Sequence, residues 1–177
     1  MPDKRQQESA HDKMWPAFES LTETRRLARN DKDAVRALFA ESEVRAHLHS
    51  YAGAFDSKDL GRIVSHFTAD AVLETPRGSY RGLEEISAFY QPQTAYHRTS
   101  MHRIENVVVR VDANRLRSVV AAYFHAPFVA PERGPRALDA RSQHGRYFGR
   151  LVCIEEGWRI AEWHITVDQN RTYPTMS

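Results

Sequence analysis

The spacing of apolar residues divides the chain into a helical first half and an extended second half. Val35, Leu38, Phe39, Val44, Leu48, Tyr51, Ala52 and Phe55 fall on one helical stripe, which predicts a long amphipathic helix ending near Asp56. Residues 14–29 repeat that period more loosely through Trp15, Phe18, Leu21 and Leu27, with Pro16 at a tolerated first-turn position. Asn30, Asp31 and Asp33 interrupt the pattern and supply caps. Residues 57–67 predict a second, shorter helix with Leu60, Ile63, Val64 and Phe67 facing inwards. A short strand is predicted at 71–74, a turn at 76–82 around Pro76, Gly78 and Gly82, and a helix at 83–90.

Beyond Tyr96 the period shortens. Residues 101–111, 116–129, 145–155 and 158–167 are rich in Val, Ile, Tyr, Phe and Trp and predict four long strands. Asp112 to Arg115 and Glu155 to Gly157 supply two hairpin turns, while residues 130–144 carry Pro131, Gly134 and Pro135 and predict an irregular flap at one rim. Helices followed by an antiparallel meander make an α+β fold, with the helices packed on one face of a curved sheet. Val107 to Val109 and Val119 to Ala122 are apolar on both faces, so a homodimer or higher homo-oligomer through the outer face is expected.

Composition narrows the classes. A chain of 177 residues that is 41% hydrophobic can bury one sizeable core, so we expect a 1–30 extension, a 31–170 domain and a 171–177 tail. The 25 basic residues, 21 of them Arg, nearly balance 23 acidic ones and form no run interleaved with aromatics; a nucleic-acid partner is not expected. No segment has the length and apolarity of a membrane span or of a secretory leader, and a cytoplasmic protein without a membrane partner is the expectation. The single Cys153, within Leu151 to Ile154, reads as a buried small hydrophobe.

The chemistry concentrates in Tyr51, Asp56 and His102. A neutral imidazole is a competent base near pH 7, and a carboxylate on its other nitrogen fixes the tautomer and stabilises the imidazolium. Blander roles exist for each: Asp56 as an N-cap of the second helix, His102 as a strand-end residue bonded to a carbonyl, Tyr51 as a core aromatic. His125 lies an even step across a predicted hairpin from His102 and is a candidate for a second acid on the same face. Phe55, Thr75, His144, Tyr147 and His164 are candidates for the pocket wall. Arg133, Arg136, Arg141 and Arg146 cluster near the flap, where a solvated face is favoured over anion binding. His47 and His49 diverge on their helix, no His-x3-His or Cys-x2-Cys spacing occurs, and neither a metal nor another cofactor is expected.

The order of elements, Tyr51-x4-Asp56-Ser57-Lys58-Asp59, Phe67-Thr68-Ala69-Asp70-Ala71-Val72, Gly78 and Gly82, His102-x3-Asn106 and Gly157-Trp158-Arg159-Ile160 together resemble the SnoaL-like branch of the nuclear-transport-factor-2-like superfamily. The resemblance covers roughly residues 42–168 and implies a cone-shaped sheet wrapped around the N-terminal helices, a cystatin-like α+β barrel. Dehydratase-like members, such as scytalone dehydratase, the bile-acid dehydratases and lindane dehydrochlorinase, use an Asp beside a proton-abstracting His. Asp56 and His102 match those positions, and Tyr51 matches a carbonyl-polarising tyrosine. Phe55 and Thr75 stand where scytalone dehydratase would have tyrosines. The resemblance thus implies a cofactor-independent lyase or isomerase acting on a small apolar ring compound beside a carbonyl. A polyketide-type cyclase, or a non-catalytic assembly subunit like the small subunit of an aromatic-ring dioxygenase, are the alternatives.

Overall fold

A computed structural model describes residues 31–96, 99–129 and 140–173. The helix expected at 14–29 and the centre of the expected flap lie outside these residues. The long helix α1, Asp31–Asp56, buries Val44, Leu48, Tyr51, Ala54 and Phe55, but its first turns leave Val35, Leu38 and Phe39 exposed. The inward stripe therefore begins near Ala40 rather than at Val35.

After α1 the chain turns through a Schellman motif. Lys58 takes the left-handed conformation (φ 60°), its amide donates to Phe55 O, and the Asp59 amide donates to Ala54 O. Asp59 then caps helix α2, Leu60–Ser65, by accepting from the Arg62 amide at 2.9 Å. The expected helix at 57–67 is thus one short helix, because Phe67 already opens strand β1, Phe67–Thr75. Strand β2, Gly78–Arg81, returns beside β1, and helix α3, Gly82–Tyr96, runs past the expected end at Tyr90 with Pro92 inside it. Proline removes one amide donor without forbidding the turn that follows.

The remaining strands are β3 (Thr99–Ser100), β4 (Arg103–Val111), β5 (Arg117–Val129), β6 (Ala140–Ile154) and β7 (Gly157–Tyr173). They order as β2-β1-β7-β6-β5-β3, with β4 also paired to β5. All neighbours are antiparallel except β1 and β7, so the sheet is mainly antiparallel, curved and open rather than a closed barrel. β6 begins at Ala140, inside the expected flap, and β7 continues to Tyr173, into the expected tail. An extra residue in β4 near Asn106 (φ 50°) bends the edge of the sheet. Two more register shifts put extra residues into β7, at Ala161 and at Asp168, and curve the interior of the sheet.

One face of the sheet, carrying Val109, Val120, Ala122, Phe124, Tyr147, Leu151, Ile160 and Trp163, forms the core with α1 and α3. Gly145 and Gly149 are obligatory there: a Cβ at Gly145 would run into Thr166 O and the Phe124 ring, and one at Gly149 into the Trp163 indole. On the other face Val108 and Val119 pack around Ala121 and Phe148 in a separate small cluster. Cys153 is half-buried at the edge of the main core, not enclosed by it. Among the described residues no helix is long and apolar enough to cross a membrane.

Candidate active site

Because Asp59 caps α2, the Asp56 carboxylate is released from the local role its position suggested and turns across the molecule to His102. Met101 and His102 form a two-residue break between β3 and β4, so His102 is not strand-borne as expected. Its backbone amide leaves the ladder and donates to Asp56 Oδ2 at 2.8 Å, while Nδ1 lies 2.6 Å from Asp56 Oδ1. A carboxylate can only accept, so Nδ1 carries a proton, and in the neutral ring the lone pair is on Nε2. Burial pushes the Asp56 carboxyl up, but the two hydrogen bonds from His102 outweigh it and hold the group below the ordinary aspartate value. Phe55, one residue before Asp56, packs edge-on against the His102 ring at 4.6 Å and fixes its plane.

His102 forms part of the wall of a partly open cavity of about 620 Å³ between α1, α3 and the inner sheet face. Among the described residues Nε2 has no hydrogen-bond partner. Tyr51 and Tyr90 line the same cavity, and their hydroxyls are 2.6 Å apart. Two hydroxyls that share one hydrogen bond retain one further proton to donate. Burial pushes the Tyr51 phenol up to about 12 against the pull of its Tyr90 hydrogen bond, and raises Tyr90 well above the usual tyrosine range. Both therefore remain neutral donors at ordinary pH. Tyr147, also in the wall, stacks on Phe124 and Trp163.

Of the residues expected from the sequence, Tyr51, Phe55, Thr75, Tyr147 and His102 line this cavity. The Thr75 hydroxyl is engaged by the adjoining turn, accepting from the Arg77 amide and donating to Gly78 O. His125, His144 and His164 are not in the wall. Phe124, Ala126 and Phe128 are the cavity-facing residues of β5, so the alternation of a strand sends His125 to the outer face. There its ring stacks on His144 at 4.1 Å, and both Nε2 atoms reach Ser142 Oγ, at 2.8 and 3.0 Å. His164 faces outwards as well, with Nδ1 2.9 Å from Glu74 Oε2 in an ion-pair contact. The expected shared face of His102 and His125 fails because His102 lies outside the strand ladder on which that parity was counted.

Tyr90 escaped the sequence reading. It occupies the end of a predicted helix, and only the packing of α3 on β1 and α2 brings its hydroxyl to Tyr51. Arg141, Gln143 and Asn170 also line the cavity, although Arg141 was expected on a solvated face. Arg146 pairs with Asp168 through two bonds of 2.9 and 2.8 Å.

Comparison with solved structures finds the same fold. A candidate aromatic ring hydroxylase from Novosphingobium aromaticivorans superposes with a TM-score of 0.69 at 20% identity, over 77% of this chain and 94% of that one. A candidate scytalone dehydratase from the same organism gives a TM-score of 0.69 at 13% identity, over 83% and 94%. A type 2 hexachlorocyclohexane dehydrochlorinase gives 0.68 at 13%, over 83% and 95%. No curated protein matches the sequence. The SnoaL-like domain profile matches residues 32–164, a span that takes in Tyr51, Asp56, Tyr90 and His102, and the chain belongs to the SnoaL-like domain family.

Proposed function

We propose that the protein is a cofactor-independent lyase or isomerase that removes a proton beside a carbonyl of a small, largely apolar ring compound. The observation that carries this reading is the 2.6 Å contact between His102 Nδ1 and Asp56 beside a partly open, aromatic-lined cavity whose wall includes His102. His102 Nε2 takes the proton, and the C–H electron pair moves into an enolate. The enolate oxygen accepts from the Tyr51–Tyr90 hydroxyl pair, whose neutral phenols act as preorganised donors. In a dehydration the enolate then re-forms the carbonyl, the bond to a β-hydroxyl breaks, and the imidazolium returns its proton to the departing oxygen as water. His102 does both transfers in this scheme, since His125 lies on the other face of the sheet. In an isomerisation the same proton returns at another carbon.

Solved structures with the same fold are named for dehydration, dehydrochlorination and isomerisation, which supports this general class. The carboxylate-held imidazole facing a cavity of this size favours the catalytic reading over an assembly subunit. The test is solvent-deuterium exchange into cyclic ketones, and enone formation from cyclic β-hydroxyketones, by wild type and His102→Ala. Loss of most of kcat, about 10²–10⁴-fold, with an unchanged melting curve is expected. Full activity in His102→Ala, or a larger chain that co-purifies and carries the activity, would move the assignment to a binding subunit.

A further inference from the structure

Trp163 is fully buried in β7, behind Tyr51 and Tyr147, which line the cavity. Three neighbours fix its indole. Cε3 and Cζ3, the ring edge away from the nitrogen, lie over Gly149, where even a Cβ would collide with them. Tyr147 stacks on the indole at 5.1 Å, and Tyr51 meets it edge-on at 5.8 Å with an interplanar angle of 77°. The opposite edge, which carries Nε1, is thereby turned away from the Gly149 backbone and into the core.

An indole N–H can only donate, and among the described residues Trp163 Nε1 closes no hydrogen bond of ordinary geometry. A fully buried donor left in that state costs stability. The group it acts on is the Tyr51 phenol. Burial raises that phenol, and the Tyr90 hydroxyl and then the Trp163 indole pull it back. For Tyr90, burial comes first and the bond to Tyr51 pushes in the same direction. That asymmetry makes Tyr90 the donor and Tyr51 the acceptor of their 2.6 Å bond. With Tyr90 on one side of the Tyr51 oxygen and the indole N–H on another, the Tyr51 proton is left for the cavity that Tyr51 lines.

We propose that Trp163 is a positioning residue of this site: its Nε1–H closes onto the Tyr51 oxygen as the enolate forms, and so makes Tyr51, rather than Tyr90, the hydroxyl that holds the substrate oxygen. This rests on the enolate reading above and assigns the donor within it. As the Tyr51 proton is drawn towards the enolate, its own oxygen gains negative charge, and a donor already beside it binds more strongly. The indole keeps its proton throughout. A bond that tightens only in the transition state raises kcat without tightening substrate binding.

Replacing Trp163 by 3-benzothienylalanine keeps the bicyclic shape and deletes the N–H alone, and the signal lost from ¹H–¹⁵N spectra of that protein identifies the Trp163 indole in the wild type. The signal is expected to move upfield in Tyr51→Phe, which removes the acceptor, and downfield when 4-nitrophenolate, an enolate mimic, is bound. With 2-tetralone as the exchange substrate, the benzothienyl protein should lose about tenfold in kcat, with KM within about twofold of wild type. An indole signal unmoved in Tyr51→Phe, an unchanged kcat, or a loss carried by KM overturns the inference and leaves the enolate reading standing. A wild type that exchanges no cyclic ketone overturns that reading and this role with it.

Discussion

Asp56→Asn tests the dyad without requiring a substrate. The carboxylate accepts twice from His102, from Nδ1 at 2.6 Å and from the backbone amide at 2.8 Å. A carboxamide has one acceptor and one donor end. If its NH2 faced the His102 backbone N–H, two donors would oppose each other, so its oxygen must take that position and its NH2 must point at Nδ1. Nδ1 then becomes the acceptor and the ring proton moves to Nε2, the nitrogen available to the cavity. The base is blocked while the fold is kept. Exchanging charge-assisted for neutral hydrogen bonds costs about 1 kcal/mol here, because the Asp56 side chain is 25% exposed and solvent shares part of the loss. For a chain of this size that corresponds to a fall in Tm of about 2–4 °C. A tautomer error of this kind in a Ser-His-Asp triad costs about 10⁴ in kcat, and a loss of about 10²–10⁴ is expected here. The direct assay is ¹⁵N-resolved NMR of the imidazole at about pH 8. It is expected to show Nδ1–H in the wild type and Nε2–H in Asp56→Asn. An Nδ1–H ring in the variant, or an Nε2–H ring in the wild type, refutes the reasoning.

Tyr90→Phe removes one member of the hydroxyl pair but leaves Tyr51 able to donate. A loss of about 10–100-fold in kcat, below the 10²–10³ of deleting a sole oxyanion donor, should be found with little change in melting temperature. Gly149→Ala puts a methyl group against the Trp163 indole. It should destabilise the protein by about 1–3 kcal/mol in denaturant titration, and a neutral effect would show that the indole can retreat. Burial first, then the nearby His66 and Arg159, hold His47 down at about 4 against its ordinary 6.5. Below pH 6.5 the unfolded chain binds this proton and the folded one does not, so stability should be full above 6.5 and decline towards 4. Urea midpoints across that window should fall for the wild type and flatten in His47→Gln; equal slopes in both would assign the loss to other groups.

Periodicity alone determined the order of helices and strands. It placed Tyr51 and Phe55 on the buried side of α1, because one apolar stripe leaves a helix a single face to bury. The motif around Asp56 and His102 was legible as a resemblance, and local pattern could not say whether Asp56 capped a helix or reached a histidine 46 residues away. Tertiary structure decided that: the left-handed Lys58 moved the cap to Asp59, and the break before β4 turned the His102 amide and ring together onto the freed carboxylate. Strand parity misplaced His125 for a related reason, since one residue outside the ladder reverses every inward and outward assignment that is counted from it. Tyr90, Arg141 and Asn170 come from three separate elements with no shared motif. Only the packing of α3 onto β1 and α2 and the curvature of β6 and β7 bring them into one cavity, and sequence spacing carries no record of contacts made across such distances.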